Sequence, residues 1–117
     1  MSLRESSIAR DLILSAPDHE PARSVRVIGR RWYRRTYGGI YHTASIYVNA
    51  EYAGITDMQY GYGDQYEETA LQWLEANQYV PKRPPDSQWP PHAWYSHLGI
   101  AYSRWARDVP RQRDLFT

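Results

Sequence analysis

Gly29-Arg30-Arg31-Trp32-Tyr33-Arg34-Arg35-Thr36-Tyr37-Gly38-Gly39 sets four arginines and three aromatic rings just before a Gly-Gly pair. Paired glycines supply the positive φ that a tight hairpin turn requires. On the N-terminal side, Ser24 to Tyr37 reads as a strand, with Val25 and Val27 alternating with Arg26 and Gly29 as a candidate bulge. On the C-terminal side, Ile40 to Val48 reads as a second strand. Ile40, His42, Ala44, Ile46 and Val48 share one face, and Tyr41, Thr43, Ser45 and Tyr47 take the other. Asn49-Ala50 makes a second turn and Tyr52 to Tyr60 a third strand. The arginine-rich stretch is therefore the tip of a hairpin in an antiparallel meander.

Helical patterns flank the meander. Ser2-Leu3-Arg4-Glu5 fits a capping box, and Leu3, Ile8, Leu12 and Ile13 form one apolar stripe, ended by Pro17, Asp18 and Pro21. Gly61-Tyr62-Gly63 breaks the sheet, and Asp64 caps a second helix with Glu67 three residues on. Its inner stripe is Ala70, Leu71 and Leu74, with Tyr66 or Trp73 adjoining. Glu67, Glu68 and Glu75 are expected in water. Five prolines between Pro81 and Pro91 forbid a continuous helix. The nearby Trp89 and Trp94 argue that this arm packs along the domain. Pro91 to Leu98 reads as a short helix ended by Gly99, Ile100 to Arg107 as a fourth strand, and Asp108 to Thr117 as a loosely held tail. The expected architecture is α+β: a three- to four-stranded antiparallel sheet with helices on one face. One domain spans 1–117, with an α-β-β-β-α core (3–80), a proline-rich arm (81–91), a C-terminal α-β extension (92–108) and a flexible tail (109–117).

A chain of 117 residues with 42% apolar content can bury a core unaided. It has no cysteine, which excludes disulfides, thiolate metal sites and a cysteine nucleophile. No apolar run reaches the ~20 residues of a membrane span, and the N-terminus lacks a signal-peptide core, so a cytoplasmic protein is expected. His19, His42, His92 and His97 show no metal-ligand spacing, and no carboxylate pair stands with a histidine in a catalytic motif. Catalytic residues, metal and cofactors are expected to be absent. His42, on the inward face, reads as a hydrogen-bonded core histidine.

Charge is strongly segregated. Residues 21–50 carry six arginines and no acid, while residues 51–80 carry six acids and no Lys or Arg. The two blocks either neutralise each other within the fold or form a basic face for an anionic partner beside an acidic one.

Two resemblances add to this reading. Gly39-Ile40-Tyr41-His42, with Ile46 following and Gly61-Tyr62-Gly63 before the helix, resembles the double-stranded RNA-binding domain over residues 3–78. That resemblance implies an α-β-β-β-α fold. In that family the last helix opens with lysines that bridge phosphates. Here Asp64, Gln65, Tyr66, Glu67 and Glu68 stand in that position, so duplex recognition of the family's kind is not expected. The segments Tyr41–Asn49 and Tyr60–Tyr66, with the ending Asp108-Val109-x-Arg111-x-Arg113-Asp114-Leu115, also look like small uncharacterised phage and prophage proteins. That likeness implies a phage-type context without a mechanism.

Arg30, Arg31, Trp32, Tyr33, Arg34, Arg35 and Tyr37 are the candidate nucleic-acid contacts. Guanidinium groups bind phosphate and aromatic rings stack on bases. The bland alternative pairs these arginines with Glu67, Glu68 or another subunit. A protein-interaction module is the second expectation, using the tyrosine surface (Tyr41, Tyr47, Tyr60, Tyr62), the acidic helix or the tail. Gln112-Arg113-Asp114-Leu115-Phe116 resembles the bacterial sliding-clamp-binding peptide, which implies partner contacts by Gln112, Asp114, Leu115 and Phe116 with a host replication protein.

Overall fold

The computed structural model describes residues 19–36, 38–86 and 88–117. The helix expected near the N-terminus, and Tyr37 at the hairpin tip, lie outside the described residues. Five strands form one sheet: β1 (Ser24–Arg34), β2 (Gly39–Val48), β3 (Glu51–Ile55), β4 (Gln59–Tyr60) and β5 (Ala101–Val109). Their order is β3-β2-β1-β5, with β4 also on β2. Two helices, α1 (Gln65–Ala76) and α2 (Pro91–His97), complete an α+β fold, and the chain closes in a 3-10 helix, Gln112–Phe116.

Alternation along the strands makes the core. Val25 and Val27 of β1 lie beside Val48 and Ile46 of β2, all turned to one face and buried. Ala70, Leu71 and Leu74 of α1 complete this layer. The second-strand faces fall as the alternation requires, with His42, Ala44, Ile46 and Val48 inward.

Gly29 is not a bulge. The β1–β2 register runs unbroken from Val25↔Val48 to Arg34↔Gly39. What Gly29 provides is room: a Cβ there would stand 2.5 Å from two ring atoms of Tyr66. Tyr66 is 2% exposed and cannot swing away. Gly29→Ala is expected to destabilise the fold by about 1–3 kcal/mol, as overpacking does. Urea unfolding of the variant beside wild type measures it. A midpoint unchanged from wild type would show that the ring is not seated there.

The bulge lies instead in β3, where the register shifts opposite Ile46 and Tyr47. The third strand is also shorter than the expected Tyr52 to Tyr60. It stops because Thr56 closes it: the Ala44 amide donates to Thr56 Oγ1 at 2.9 Å and the Thr56 amide donates to the Ala44 carbonyl at 2.9 Å.

β5 pairs parallel to β1, from Ser24↔Ala101 to Trp32↔Val109, where an antiparallel fourth strand was expected. The proline arm and α2 form the crossover that a parallel pair requires. The arm runs along α1, not over the tyrosines of the opposite sheet face. Arg83 forms ion pairs with both Glu68 and Glu75 of α1. Trp94 Nε1 donates to the Pro81 carbonyl at 3.0 Å. Hydrogen bonding to Arg83 holds the Glu68 carboxyl below its usual range.

Glu67 does not face water. It is 8% exposed, and it accepts from the Tyr102 hydroxyl at 2.5 Å and from Arg104 Nη1 at 2.5 Å. Parallel pairing sends Tyr102 and Arg104 to the helix side of β5, beside the first turn of α1. Burial, then the carboxylate of Glu67, pushes the Tyr102 phenol well up. Asp64 occupies the N-cap without a capping hydrogen bond and lies 3.4 Å from Arg104 instead.

His42 is 1% exposed and hydrogen-bonded at both ring nitrogens. Its Nδ1 lies 3.0 Å from the Gly61 carbonyl, which can only accept, so Nδ1 carries the proton. Nε2, 2.7 Å from Thr69 Oγ1, accepts from that hydroxyl. Burial lowers the imidazole pKa from 6.5, opposed in part by the Gly61 carbonyl. The unfolded chain therefore takes up this proton first as pH falls. Stability from the neutral ring is complete above the unfolded value and declines as pH drops toward the lower folded value. Urea midpoints are expected to fall between about pH 7 and pH 5 in wild type and to change less in His42→Gln. Equal slopes in the two proteins would contradict this role. The Glu68 contribution is lost only at lower pH, as pH falls through its depressed carboxylate range.

Candidate nucleic-acid interface

The sheet face away from α1 divides into a covered half and an open half. The tail covers the first. Leu115 is wholly buried, and the Thr43 hydroxyl of β2 donates to its carbonyl. The 3-10 helix touches β1, β2 and β5 together. The tail is therefore packed, in contrast to the loose segment expected at 109–117: Val109 ends β5 and is buried, and Arg111 pairs with Asp114 at 3.1 Å. Of the clamp-like residues, Gln112 lies against Met58, Asp114 is held by Arg111 and Leu115 is spent inside the fold. Phe116 is 51% exposed.

The open half carries two rows of neighbours across the strands. One is Trp105, Ile28, Ser45 and Ile55, and the next is Ser103, Arg26, Tyr47 and Tyr52. Trp105 is 56% exposed and Tyr52 60%. Large rings exposed to this degree on a regular sheet are unneeded by the core and mark a contact surface. Tyr47 and Tyr52 meet edge to face, with ring centroids 5.6 Å apart. A shallow cleft lined by Arg26, Tyr47 and Ser103 runs beside them.

Arginines frame these rings. Arg26 and Arg107 are exposed and form no ion pair with a described residue. Arg30 lies half-buried between the two halves, where Nη1 donates to Ser45 Oγ at 2.6 Å and its buried Nε has no partner. None of the strand residues on this face is acidic. Glu67, Glu68 and Glu75 all sit on α1, behind the sheet. The segregation seen along the sequence is thus a segregation between two sides of the sheet.

The hairpin residues do not act as one cluster. Arg31 points to the helix side, where it donates to Asp108 Oδ1 at 2.9 Å and to the Gly63 carbonyl at 3.1 Å. Tyr33 shares that side of the strand and is 55% exposed, beyond the helix. Trp32 and Arg34 alternate to the open side and are half-buried, with Trp32 tilted against Tyr41 at 6.1 Å. Arg35 is exposed in the turn. Glu67 and Glu68, considered as partners for these arginines, instead bind Arg104 and Arg83. Arg26, Tyr52, Trp105 and Arg107 were missed as a site. The odd-numbered run Ser103, Trp105, Arg107 carried the signal, but only the parallel register brings it beside Arg26 and Ile28.

Chemically, the open half offers rings for stacking and cations for phosphate, with no acid or nucleophile positioned for catalysis. Among the described residues, no group of three or more His, Asp or Glu side chains is arranged to hold a metal ion, and no helix is long and apolar enough to cross a membrane. No protein family, curated protein or solved structure matches the chain.

Proposed function

We propose that the open half of the sheet binds single-stranded nucleic acid, in a small phage-type accessory protein. The observation that carries this reading is the pairing of exposed rings with unpaired arginines on an acid-free face: Trp105 and Tyr52 beside Arg26 and Arg107. Unpaired bases offer π-faces to such rings, whereas a duplex keeps its bases stacked on one another. Contacts are to phosphate and to base faces, which gives little sequence readout. Arg30, Arg34 and Arg35 extend the basic track toward the hairpin tip. The likeness to small phage proteins supports the accessory role.

The test is fluorescence anisotropy with one labelled single strand, competed by unlabelled single-stranded DNA, single-stranded RNA and duplex. Single strands are expected to compete and duplex to compete poorly. Binding that prefers duplex, or no binding at low salt, would overturn the reading. The alternative use of this surface, a protein partner such as a host replication or defence protein, would leave the oligonucleotide unbound.

A further inference from the structure

We infer that β5 pairs with the β5 of a second copy of this chain, antiparallel and centred on Ala106. Among the described residues, β5 is an edge strand: it lies on β1 and has no strand on its other side. It is nine residues long, has no register shift and contains no proline. Such an edge is a template for strand addition unless it is blunted. The opposite edge, β3, is blunted, being five residues long and broken by a bulge.

Backbone direction fixes which residues can pair. The Ala101 amide donates to the Arg23 carbonyl, toward β1. By alternation Ser103, Trp105 and Arg107 also turn their amides inward, and Tyr102, Arg104, Ala106 and Asp108 turn theirs outward. Two antiparallel copies can therefore match only outward residue to outward residue.

Charge then chooses the register. About Ala106, each Arg104 stands opposite Asp108 of the other copy, and each Trp105 opposite Arg107. These are an ion pair and a cation–π pair, each formed twice. About Arg104, two arginines would face each other. About Trp105, no charged side chain meets an opposite charge. The groups involved keep free bonding capacity. Arg104 uses Nη1 for Glu67 and Asp64, and Asp108 uses Oδ1 for Arg31, with its side chain 81% exposed. The pairing would join two open faces into one surface with Trp105 and Arg107 of both copies at its centre.

The pairing needs no nucleic acid, so it is tested without any, and its failure is separate from that of the binding proposal. Sedimentation equilibrium of the full chain is expected to show the mass doubling as concentration rises. The native chain has no cysteine, so a single introduced thiol reports geometry cleanly. Hydrogen-bonded antiparallel partners stand ~5.5 Å apart at Cα, within disulfide reach. Ala106→Cys is expected to form a disulfide dimer on mild oxidation. Ser103→Cys, whose opposite residue is Val109, is expected not to. A chain monomeric at every concentration would overturn the proposal. So would a dimer cross-linked through position 103 but not 106. A monomer whose thiol at position 106 resists alkylation would show that another segment of the same chain covers this edge, and would overturn it equally.

Discussion

Trp105→Ala is expected to weaken binding of a single-stranded oligonucleotide by about 1–3 kcal/mol, the usual contribution of one ring stacked on one base. That corresponds to roughly 5- to 150-fold in dissociation constant. The fold should survive the change, because Trp105 is 56% exposed and lies outside the core cluster. Unfolding midpoints of the variant and wild type should therefore agree within about 0.5 kcal/mol. Tyr52→Ala is expected to act in the same direction, since Tyr52 presents the second exposed ring on the neighbouring row. Anisotropy titration at fixed low salt measures both. Wild-type affinity in the Trp105 variant would remove base stacking from the account.

Leu115→Ala tests the covered half of the face. Leu115 is wholly buried beneath neither helix but against the sheet, with its carbonyl bound by Thr43. Truncating a buried leucine removes apolar contact and leaves a cavity, at a cost of about 2–5 kcal/mol. In a domain whose whole stability is about 5–15 kcal/mol, that is a large fraction. Urea unfolding should show a clearly lower midpoint. A change below about 0.5 kcal/mol would mean that the tail is not packed as described. The result also bears on the clamp-like peptide. A structural Leu115 can enter a partner's pocket only after the tail leaves the sheet, so the stabilisation measured here opposes any such use.

How much the sequence revealed depended on the reach of each interaction. The β1–β2 hairpin was legible because its evidence is local: alternation in Ile40 to Val48 and two glycines at the turn. The stripe of α1 at Ala70, Leu71 and Leu74 was legible for the same reason. Glu67 was misplaced because its partners, Tyr102 and Arg104, are 35 and 37 residues away. A carboxylate in a first helical turn ordinarily faces water, and nothing nearby signals otherwise. Arg31 was placed in the binding site because its neighbours are basic and aromatic, whereas its partner Asp108 is 77 residues on. The tail reads as polar, yet one leucine and one hydroxyl anchor it. The site itself was half legible. Its basic and aromatic character was visible in the hairpin, but its position on the sheet rests on the parallel β1–β5 register, which no local pattern encodes.

The central claim is that Arg26 and Arg107 meet phosphate on the open face. The most direct test is the salt dependence of single-strand binding in wild type and in Arg26→Ala/Arg107→Ala. For single strands the slope of log affinity against log salt is about −0.7 per phosphate neutralised. The double variant is expected to bind more weakly and to lose about 1.4 from the magnitude of that slope. An unchanged slope, with binding intact, would show that phosphate is held elsewhere and would contradict the account.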